Sequence, residues 1–373
     1  MPRTVKYQQI IDWVHERLLS GELKVGSRLE TEAEISKLFS FSRQTVRQAL
    51  AYLEQEGIIR RVQGSGSYIT RQLAQDARVP LSRSVTIISS YTDSYIFPRI
   101  LQAMGTTLQK NGYSTRIVFT NNRREIERKI LSELGGNDSR DPLIVEPVAS
   151  ALPNPNLGYY RKLRDRGIPI KFFNTFYPSL EIPHVSLDDV AVGREATKYL
   201  LSLGHRKIAG IFKCDDGEGL CRYQGYQEAL LEAGLPIEEK NVCWVDTVTI
   251  SEMLKQDEWI LKRLSGCSAA VCYNDAVAYS LPELCASAGI RIPEDLSIAS
   301  IDNSRLTDLA PVPLTSVHHP MEALGEKTAL TLLSMIENPA ADPMSFTYEF
   351  SPEITVRKST SPLKEKGPGA MAF

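Results

Sequence analysis

Residues 40–57, SFSRQTVRQALAYLEQEG, combine an apolar helical pattern with an unusual polar face. The apolar residues recur at helical spacing and predict a helix with one buried face: Val46, Ala49, Leu50 and Leu53. The opposite face is cationic and rich in amides: Arg43, Gln44, Arg47, Gln48 and Gln55. Arginine binds guanine bidentately and glutamine binds adenine, so this face has the chemistry that reads base edges in a major groove.

A second set of polar residues follows the short β-branched segments after residue 85. These strand-end residues are Tyr91, Thr92, Asp93, Glu146, residues 174–177 and 213–216, Asn274, Asp275, Asp302 and Asn303. Ligands of parallel sheets bind beyond the carboxyl ends of the strands. Carboxylates and amides beside aromatic rings suit a neutral polyol, which offers hydroxyls for hydrogen bonds and C–H faces for packing. The alternative is that Asp and Asn only cap the following helices, which stays open for each single residue.

The elements that position the polar face of residues 43–55 are predicted to form a helix-turn-helix with a wing. We expect a helix over residues 6–20 and a second helix, EAEISKLF, capped by Thr31 with Glu34 three residues on. Ser42 is placed to cap the third helix. IIRRVQGSGSYIT alternates around Gly64-Ser65-Gly66, which predicts a hairpin. A solvated amphipathic helix beside an ordinary hairpin is the alternative.

Composition and charge set the wider limits. A chain of 373 residues suggests two or three domains. It has no long apolar run or signal-peptide pattern, and its six cysteines lack Cys-x-x-Cys spacing, so we expect a cytoplasmic protein with free thiols. Residues 1–72 carry 11 Lys and Arg against 8 Asp and Glu, a charge of +3, and the remainder carries −5. This asymmetry favours an anionic partner for the first segment alone.

The pattern of the residues after the first domain predicts an α/β body. We expect residues 1–70 to form the first domain, 71–84 a linker, 85–360 a two-lobed body and 361–373 a flexible tail. Strands are predicted at 85–90, 114–120, 142–147, 168–173, 205–212, 269–273 and 296–301, with helices at 97–112, 122–135, 190–203 and 222–234. This alternation indicates parallel sheets covered on both faces.

The body lacks the patterns of catalysis. No Gly-x-Gly-x-x-Gly follows a strand, and there is no Gly-Lys-Ser/Thr or Gly-x-Ser-x-Gly. His318 and His319 are adjacent, and adjacent side chains on a strand point apart, so they are poor joint metal ligands. We therefore predict a protein that is not an enzyme and that has no metal or cofactor.

The first domain resembles the GntR-type winged-helix regulators. SRQTVRQALAYLEQEGIIRRVQGSGSYI matches their pattern of Ser-Arg-x-Thr-Val-Arg-x-Ala-Leu, Glu-Gly and Gly-x-Gly. "LETE" stands where these proteins commonly have Leu-Pro-Ser-Glu. The resemblance implies double-stranded operator DNA as partner and these DNA contacts: Lys6, Glu32, Arg43, Gln44, Arg47 and Gln63.

The body resembles the effector domain of the LacI/GalR repressors. The motifs SLGHRKIAGIF, CRYQGYQEALLEAG, AAVCYNDAVA, DLSIASIDNS and PLTSVHHPMEALGEKTALTLL occur in the same order. The resemblance implies a two-lobed, periplasmic-binding-protein-like fold with three crossovers. It also implies that Arg222, Asn274, Asp302, Asn174 and His319 contact a sugar, and the strand-end pattern adds Tyr91 and Glu146.

The pairing of these two domains, with NNRREIERKILSEL and EPVASALPNPN, resembles the arabinose-operon repressors. This resemblance implies L-arabinose or a related pentose as inducer. A sugar-responsive activator or dual regulator with another sugar is the alternative. A GntR-type protein with an aminotransferase-like body would need a longer body and a cofactor lysine. A periplasmic sugar-transport protein would lack the first domain.

A single winged helix reads few base pairs, so we expect a homodimer on a near-palindromic site. The apolar faces of the helices near 97–112 and 276–288 are candidate dimer contacts, although both faces are equally suited to packing on the sheet.

Overall fold

The computed structural model describes residues 6–19, 22–62, 65–70, 81–91, 95–136, 140–250 and 257–363. Two compact units are present, one of residues 1–81 and 162–168, and one of residues 82–161 and 169–373. Residues 71–80 of the predicted linker and 364–373 of the predicted tail lie outside the described residues, as do Gln63, Thr92 and Asp93.

The first unit contains a winged helix. Its elements are α1 (Lys6–Leu19), α2 (Glu32–Phe39), α3 (Arg43–Gln55), β1 (Ile59–Val62) and β2 (Gly66–Ile69). Thr31 and Glu34 form the expected capping box, and the Ser42 side chain accepts from Thr45 N. The apolar faces of the three helices meet in one core, and β1 pairs antiparallel with β2. The predicted helix-turn-helix and hairpin are therefore confirmed.

The second unit alternates strands and helices. Its strands are β3 (Ser84–Ser89), β4 (Ser114–Phe119), β5 (Leu143–Val145), β6 (Ile170–Asn174), β7 (His184–Leu187), β8 (Ile208–Lys213), β9 (Val242–Val245), β10 (Ala269–Cys272), β11 (Ser297–Asp302), β12 (Thr315–His318), β13 (Tyr348–Phe350) and β14 (Ile354–Thr355). Its helices are α4 (Phe97–Lys110), α5 (Arg124–Gly136), α6 (Leu157–Asp165, whose residues 162–165 are grouped with the first unit), α7 (Asp189–Ser202), α8 (Gly217–Glu232), α9 (Asp257–Leu264), α10 (Asp275–Ser287), α11 (Leu306–Leu309) and α12 (Met321–Glu337).

These strands form two lobes. The first lobe has the sheet order β13-β7-β6-β5-β3-β4, and the second has β14-β12-β11-β10-β8-β9. The ladders are parallel except between β12 and β14. The chain passes between the lobes after β7, after β12 and after β13, which confirms the expected two-lobed fold with three crossovers.

The helices suggested as dimer contacts bury their apolar faces within the protomer. The α4 residues Ile100, Met104 and Leu108 are buried in a core shared with α12. The α10 residues Val277 and Leu281 are buried in the core of the second lobe. These faces therefore pack within the protomer, as the second of the two alternatives predicts.

Close packing of α7 on α8 sets the position of the cavity wall. A Cβ added at Gly193 would lie 2.0 Å from the carbonyl oxygen of Arg222, and one added at Gly225 would lie 1.9 Å from that of Val190. Only glycine permits this approach, which brings the first turns of α8 beside α7. Among the described residues, no helix is long and apolar enough to cross a membrane.

Candidate functional site

A cavity of about 400 Å³ lies between the two sheets of the second unit, at the carboxyl ends of their strands. Six of the seven residues predicted to bind ligand line it: Tyr91, Glu146, Asn174, Arg222, Asn274 and Asp302. Parallel strands of one sheet end at a common edge, which explains why residues so far apart in sequence meet here. The volume is within the range of small-molecule sites.

Arg222 is buried and already engaged by the protein. Its Nε donates to Asp189 Oδ1 at 2.8 Å, and one terminal nitrogen donates to the Tyr273 carbonyl at 2.7 Å. The other terminal nitrogen lies 3.6 Å from Asp302 Oδ1. Burial disfavours the charge, but Asp189 and Asp302 outweigh it and raise the pKa of Arg222, so the side chain is cationic. It braces the second lobe as well as lining the cavity.

Asn274 is shared between the cavity and the following helix. Its Oδ1 accepts from Val277 N at 3.0 Å and caps α10, so the capping alternative holds for that oxygen. The neighbouring Asp275 accepts from Ser316 Oγ and Ser304 N, both at 2.7 Å. Those bonds make Asp275 a support for the strand ends, and it does not line the cavity.

Glu146 contributes a buried carboxyl group to the wall. Its Oε2 accepts from Ser90 N at 2.7 Å and from Ser89 Oγ at 3.1 Å. Burial raises the pKa of Glu146 to about 7, despite those hydrogen bonds. Near neutral pH this group therefore exchanges between an acceptor-only carboxylate and a carboxylic acid that also donates.

Several lining residues were not among the predicted contacts. Lys213 Nζ lies 2.5 Å from Asp216 Oδ2, and both residues belong to the strand-end set. Glu218 lies two residues further, in the first turn of α8, and accepts from Asn174 Nδ2 at 2.7 Å. Tyr273 Oη lies 3.2 Å from Asp216 Oδ2 and 3.4 Å from Glu218 Oε2. The signal for Glu218 was its place in the helix turn directly after a strand end.

Tyr95 lines the cavity and connects the two lobes. Its hydroxyl donates to Asp302 Oδ2 at 2.6 Å and accepts from Asp275 N at 3.0 Å, both in the other lobe. The backbone of Tyr95 has φ +75°, a left-handed conformation that side chains rarely adopt. No sequence pattern identified this residue, because its partners come from strand ends about 200 positions away.

His319, which the resemblance to the LacI/GalR repressors implies as a sugar contact, is buried and does not line the cavity. Its Nε2 lies 3.0 Å from Asn174 Oδ1, so it supports a wall residue from behind. Burial lowers the pKa of His319 to about 3, which leaves the imidazole neutral. His319 follows β12 at the crossover, and its ring is buried in the protein.

The cavity wall is rich in carboxyl groups and its cations are paired. Lys213 and Arg222 are the cations among the lining residues, against Glu146, Asp216, Glu218 and Asp302. Among the described residues, no group of three His, Cys, Asp or Glu side chains has the arrangement of a metal site. Paired charges, amides and phenol rings form hydrogen bonds to hydroxyl groups and pack on C–H faces, as a neutral polyol requires.

The first unit presents the predicted polar face on the surface. Arg43, Gln44 and Arg47 of α3 are exposed, and so is Lys6. Arg47 Nε donates to Glu32 Oε2 at 2.8 Å, which joins two of the predicted DNA contacts. The structure describes neither Gln63 nor its neighbour Gly64.

Comparisons with known proteins find a matching family model for a part of each unit. The model of the gntR family of bacterial regulatory proteins matches residues 6–69, and that of a periplasmic binding protein-like domain matches residues 197–360. An arabinose metabolism transcriptional repressor of Geobacillus stearothermophilus is 34% identical, covering 95% of this chain and 96% of that protein. A protein of the same name from Halalkalibacterium halodurans is 34% identical, covering 97% and 98%.

The solved structures show the same fold. The transcriptional regulator CelR in complex with cellobiose has a TM-score of 0.67 and 21% sequence identity. The match covers 96% of this chain and 100% of the CelR chain. At this identity the likeness concerns the fold alone.

Proposed function

This chain belongs to the family of arabinose metabolism transcriptional repressors, a family of sugar-responsive DNA-binding regulators, and we propose that its inducer is L-arabinose or a related pentose. The observation that carries the proposal is the cavity of about 400 Å³, lined by carboxyl, amide and phenol groups at the strand ends. A pentose has several hydroxyl groups, each of which donates and accepts, and such a wall satisfies both roles.

The proposed contacts are those predicted residues that line the cavity: Tyr91, Glu146, Asn174, Arg222, Asn274 and Asp302. The carboxyl groups accept from sugar hydroxyls, and the amide of Asn274 donates to them. The ring of Tyr91 offers an apolar face for sugar C–H groups. In this proposal Arg222 orients Asp302 and donates to the sugar only where its remaining N–H groups reach the cavity.

On the DNA side, Arg43, Gln44 and Arg47 read bases in the major groove, and Lys6, Glu32 and Gln63 position the domain. Glu32 pairs with the exposed Arg47 guanidinium beside the proposed base-reading face. The protein acts in the cytoplasm as a homodimer on a near-palindromic operator, since one winged helix reads too few base pairs for specificity.

The mechanism follows from population shift. Sugar favours the arrangement with the lobes closed around it, and this arrangement changes the spacing of the two winged helices in the dimer. Ligand shifts such an equilibrium only by its difference in affinity for the two arrangements. We expect a coupling free energy of about 1–3 kcal/mol between the two ligands.

The test uses calorimetry and operator release together. The protein is titrated with L-arabinose, D-xylose, D-ribose, D-galactose and L-arabinose 5-phosphate, and each sugar is added to a complex with labelled operator DNA. The proposal expects a neutral pentose to bind most tightly and to release the DNA. Tighter binding of the phosphorylated sugar, or of a hexose, contradicts it. A sugar-dependent gain in DNA binding favours the activator alternative.

A further inference from the structure

A short chain of hydrogen bonds runs from a crossover segment to the cavity wall. His319 lies immediately after β12, where the chain leaves the second lobe for α12. Its Nε2 is 3.0 Å from Asn174 Oδ1, and Asn174 Nδ2 donates to Glu218 Oε1 at 2.7 Å. Asn174 ends β6 of the first lobe, and Glu218 lies in the first turn of α8 in the second. The bond between Asn174 and Glu218 therefore joins the lobes.

The protonation of His319 follows from these contacts. The ring is buried and neutral, so only one of its nitrogens carries hydrogen. Among the described residues Nδ1 makes no hydrogen bond of normal geometry, and the backbone group that interacts with the ring is that of His319 itself. With hydrogen on Nδ1, that N–H would have no well-aligned acceptor and Nε2 would face the amide oxygen with a lone pair. Hydrogen on Nε2 avoids both costs, so His319 donates to Asn174 Oδ1.

This donation fixes the orientation of the Asn174 amide. An asparagine side chain rotated by half a turn exchanges its oxygen and nitrogen. In the rotated form Asn174 would turn Nδ2 toward the N–H of His319, and two donors would face each other. His319 thus determines which polar atom of Asn174 faces the opposite lobe.

We propose that His319 is a positioning residue for the inducer response, which acts on the sugar through Asn174 and Glu218 without touching it. Glu218 is in this view a sugar-site carboxyl, shared between the ligand and the bond that joins the lobes. The inference rests on the proposed function, because it concerns the binding of a neutral sugar in the same cavity.

The test compares three variants at adjacent positions with the parent protein. His319→Leu removes the donor, and His319→Gln retains an N–H group at a similar distance along the side chain. His318→Leu is the matched control, because His318 lies next in sequence, half-buried, with its Nδ1 directed to Asn303. Affinity for the best-binding neutral monosaccharide, operator affinity without sugar and melting temperature are measured for each.

We expect His319→Leu to weaken sugar binding by about 5- to 30-fold, the equivalent of one internal hydrogen bond and its unpaired acceptor. His319→Gln recovers most of the loss, and His318→Leu stays within about twofold of the parent. Operator affinity without sugar is unchanged in all three. Unchanged sugar affinity in His319→Leu, or no recovery in His319→Gln, overturns the proposal.

If His319→Leu lowers the stability of the protein, a double-mutant cycle with Asn174 still tests whether His319 acts through Asn174. If His319 acts through Asn174, the double variant His319→Leu/Asn174→Leu binds sugar as tightly as Asn174→Leu alone. Additive losses overturn the proposal, since they mean that the two residues act separately. A parent protein that binds no neutral monosaccharide contradicts the proposed function itself, whereas a binding parent with unaffected variants contradicts only the role of His319.

Discussion

Removal of the Tyr95 hydroxyl tests whether the closed lobes are the sugar-binding arrangement. In Tyr95→Phe, Asp302 Oδ2 loses a donor at 2.6 Å and Asp275 N loses an acceptor at 3.0 Å. Both bonds connect the lobes, so their loss disfavours the closed arrangement, whereas water replaces them in an open one. A bond to a charged group contributes about 1.5–3 kcal/mol and a neutral one about 1 kcal/mol. Because the effects of neighbouring bonds do not add fully, we expect a net loss of about 2–3 kcal/mol.

That loss corresponds to a sugar affinity about 30- to 150-fold weaker. Calorimetric titration with the best pentose measures it, and fluorescence anisotropy of labelled operator measures DNA binding without sugar, which we expect to be unchanged. Tyr113→Phe, which removes a half-buried phenol hydroxyl from the same lobe, is the control. Sugar affinity in Tyr95→Phe within about threefold of the parent would refute the role assigned to the closed lobes.

Three further variants test other parts of the structure. Arg222→Ala should lower the free energy of unfolding by about 3–5 kcal/mol in urea titrations, because Asp189 and Asp302 remain buried without their cation, and unchanged stability contradicts the bracing role. Arg47→Ala should reduce the discrimination of operator from random DNA by about 1–3 kcal/mol in competition assays, and undiminished discrimination means that Arg47 reads no base. Glu146 has its pKa raised to about 7 by burial, above the unfolded value, so its contribution to stability is present at low pH and is lost as the pH rises toward about 7. The free energy of unfolding of Glu146→Gln should therefore fall less than that of the parent between pH 5 and pH 8. Equal losses contradict the raised pKa of Glu146.

The winged helix was predictable because its signals are local. Thr31 and Glu34 are three positions apart and cap the same helix turn, and Ser42 caps α3 in the same way. The strands rich in β-branched residues were predictable for a similar reason. β7, β9, β12, β13 and β14 were not predicted. Of these, β7 and β12 are short and place polar residues such as Ser186 and Ser316 in the buried sheet, so the apolar pattern is broken.

The sequence predicted most of the residues that line the cavity but did not predict the hydrogen bonds among them. Strand-end residues had to converge, because parallel strands end at one edge, and this principle identified Glu146, Asn174 and Asp302. The roles of Tyr95 and His319 depend on how two lobes meet. Tyr95 bonds residues about 200 positions away, and His319 turns inward to Asn174. Such contacts are set by the packed tertiary structure, which leaves no pattern in the local sequence.

Reciprocal linkage tests whether sugar in this cavity and DNA on the winged helix bind one coupled protein. Sugar affinity is measured by titration of the free protein and of the protein saturated with operator DNA, and operator affinity is measured with and without saturating sugar. Thermodynamics requires both ratios to be equal. We expect operator DNA to weaken sugar binding by about 5- to 150-fold, and sugar to weaken operator binding by the same factor. Equal sugar affinity for free and operator-bound protein would contradict it.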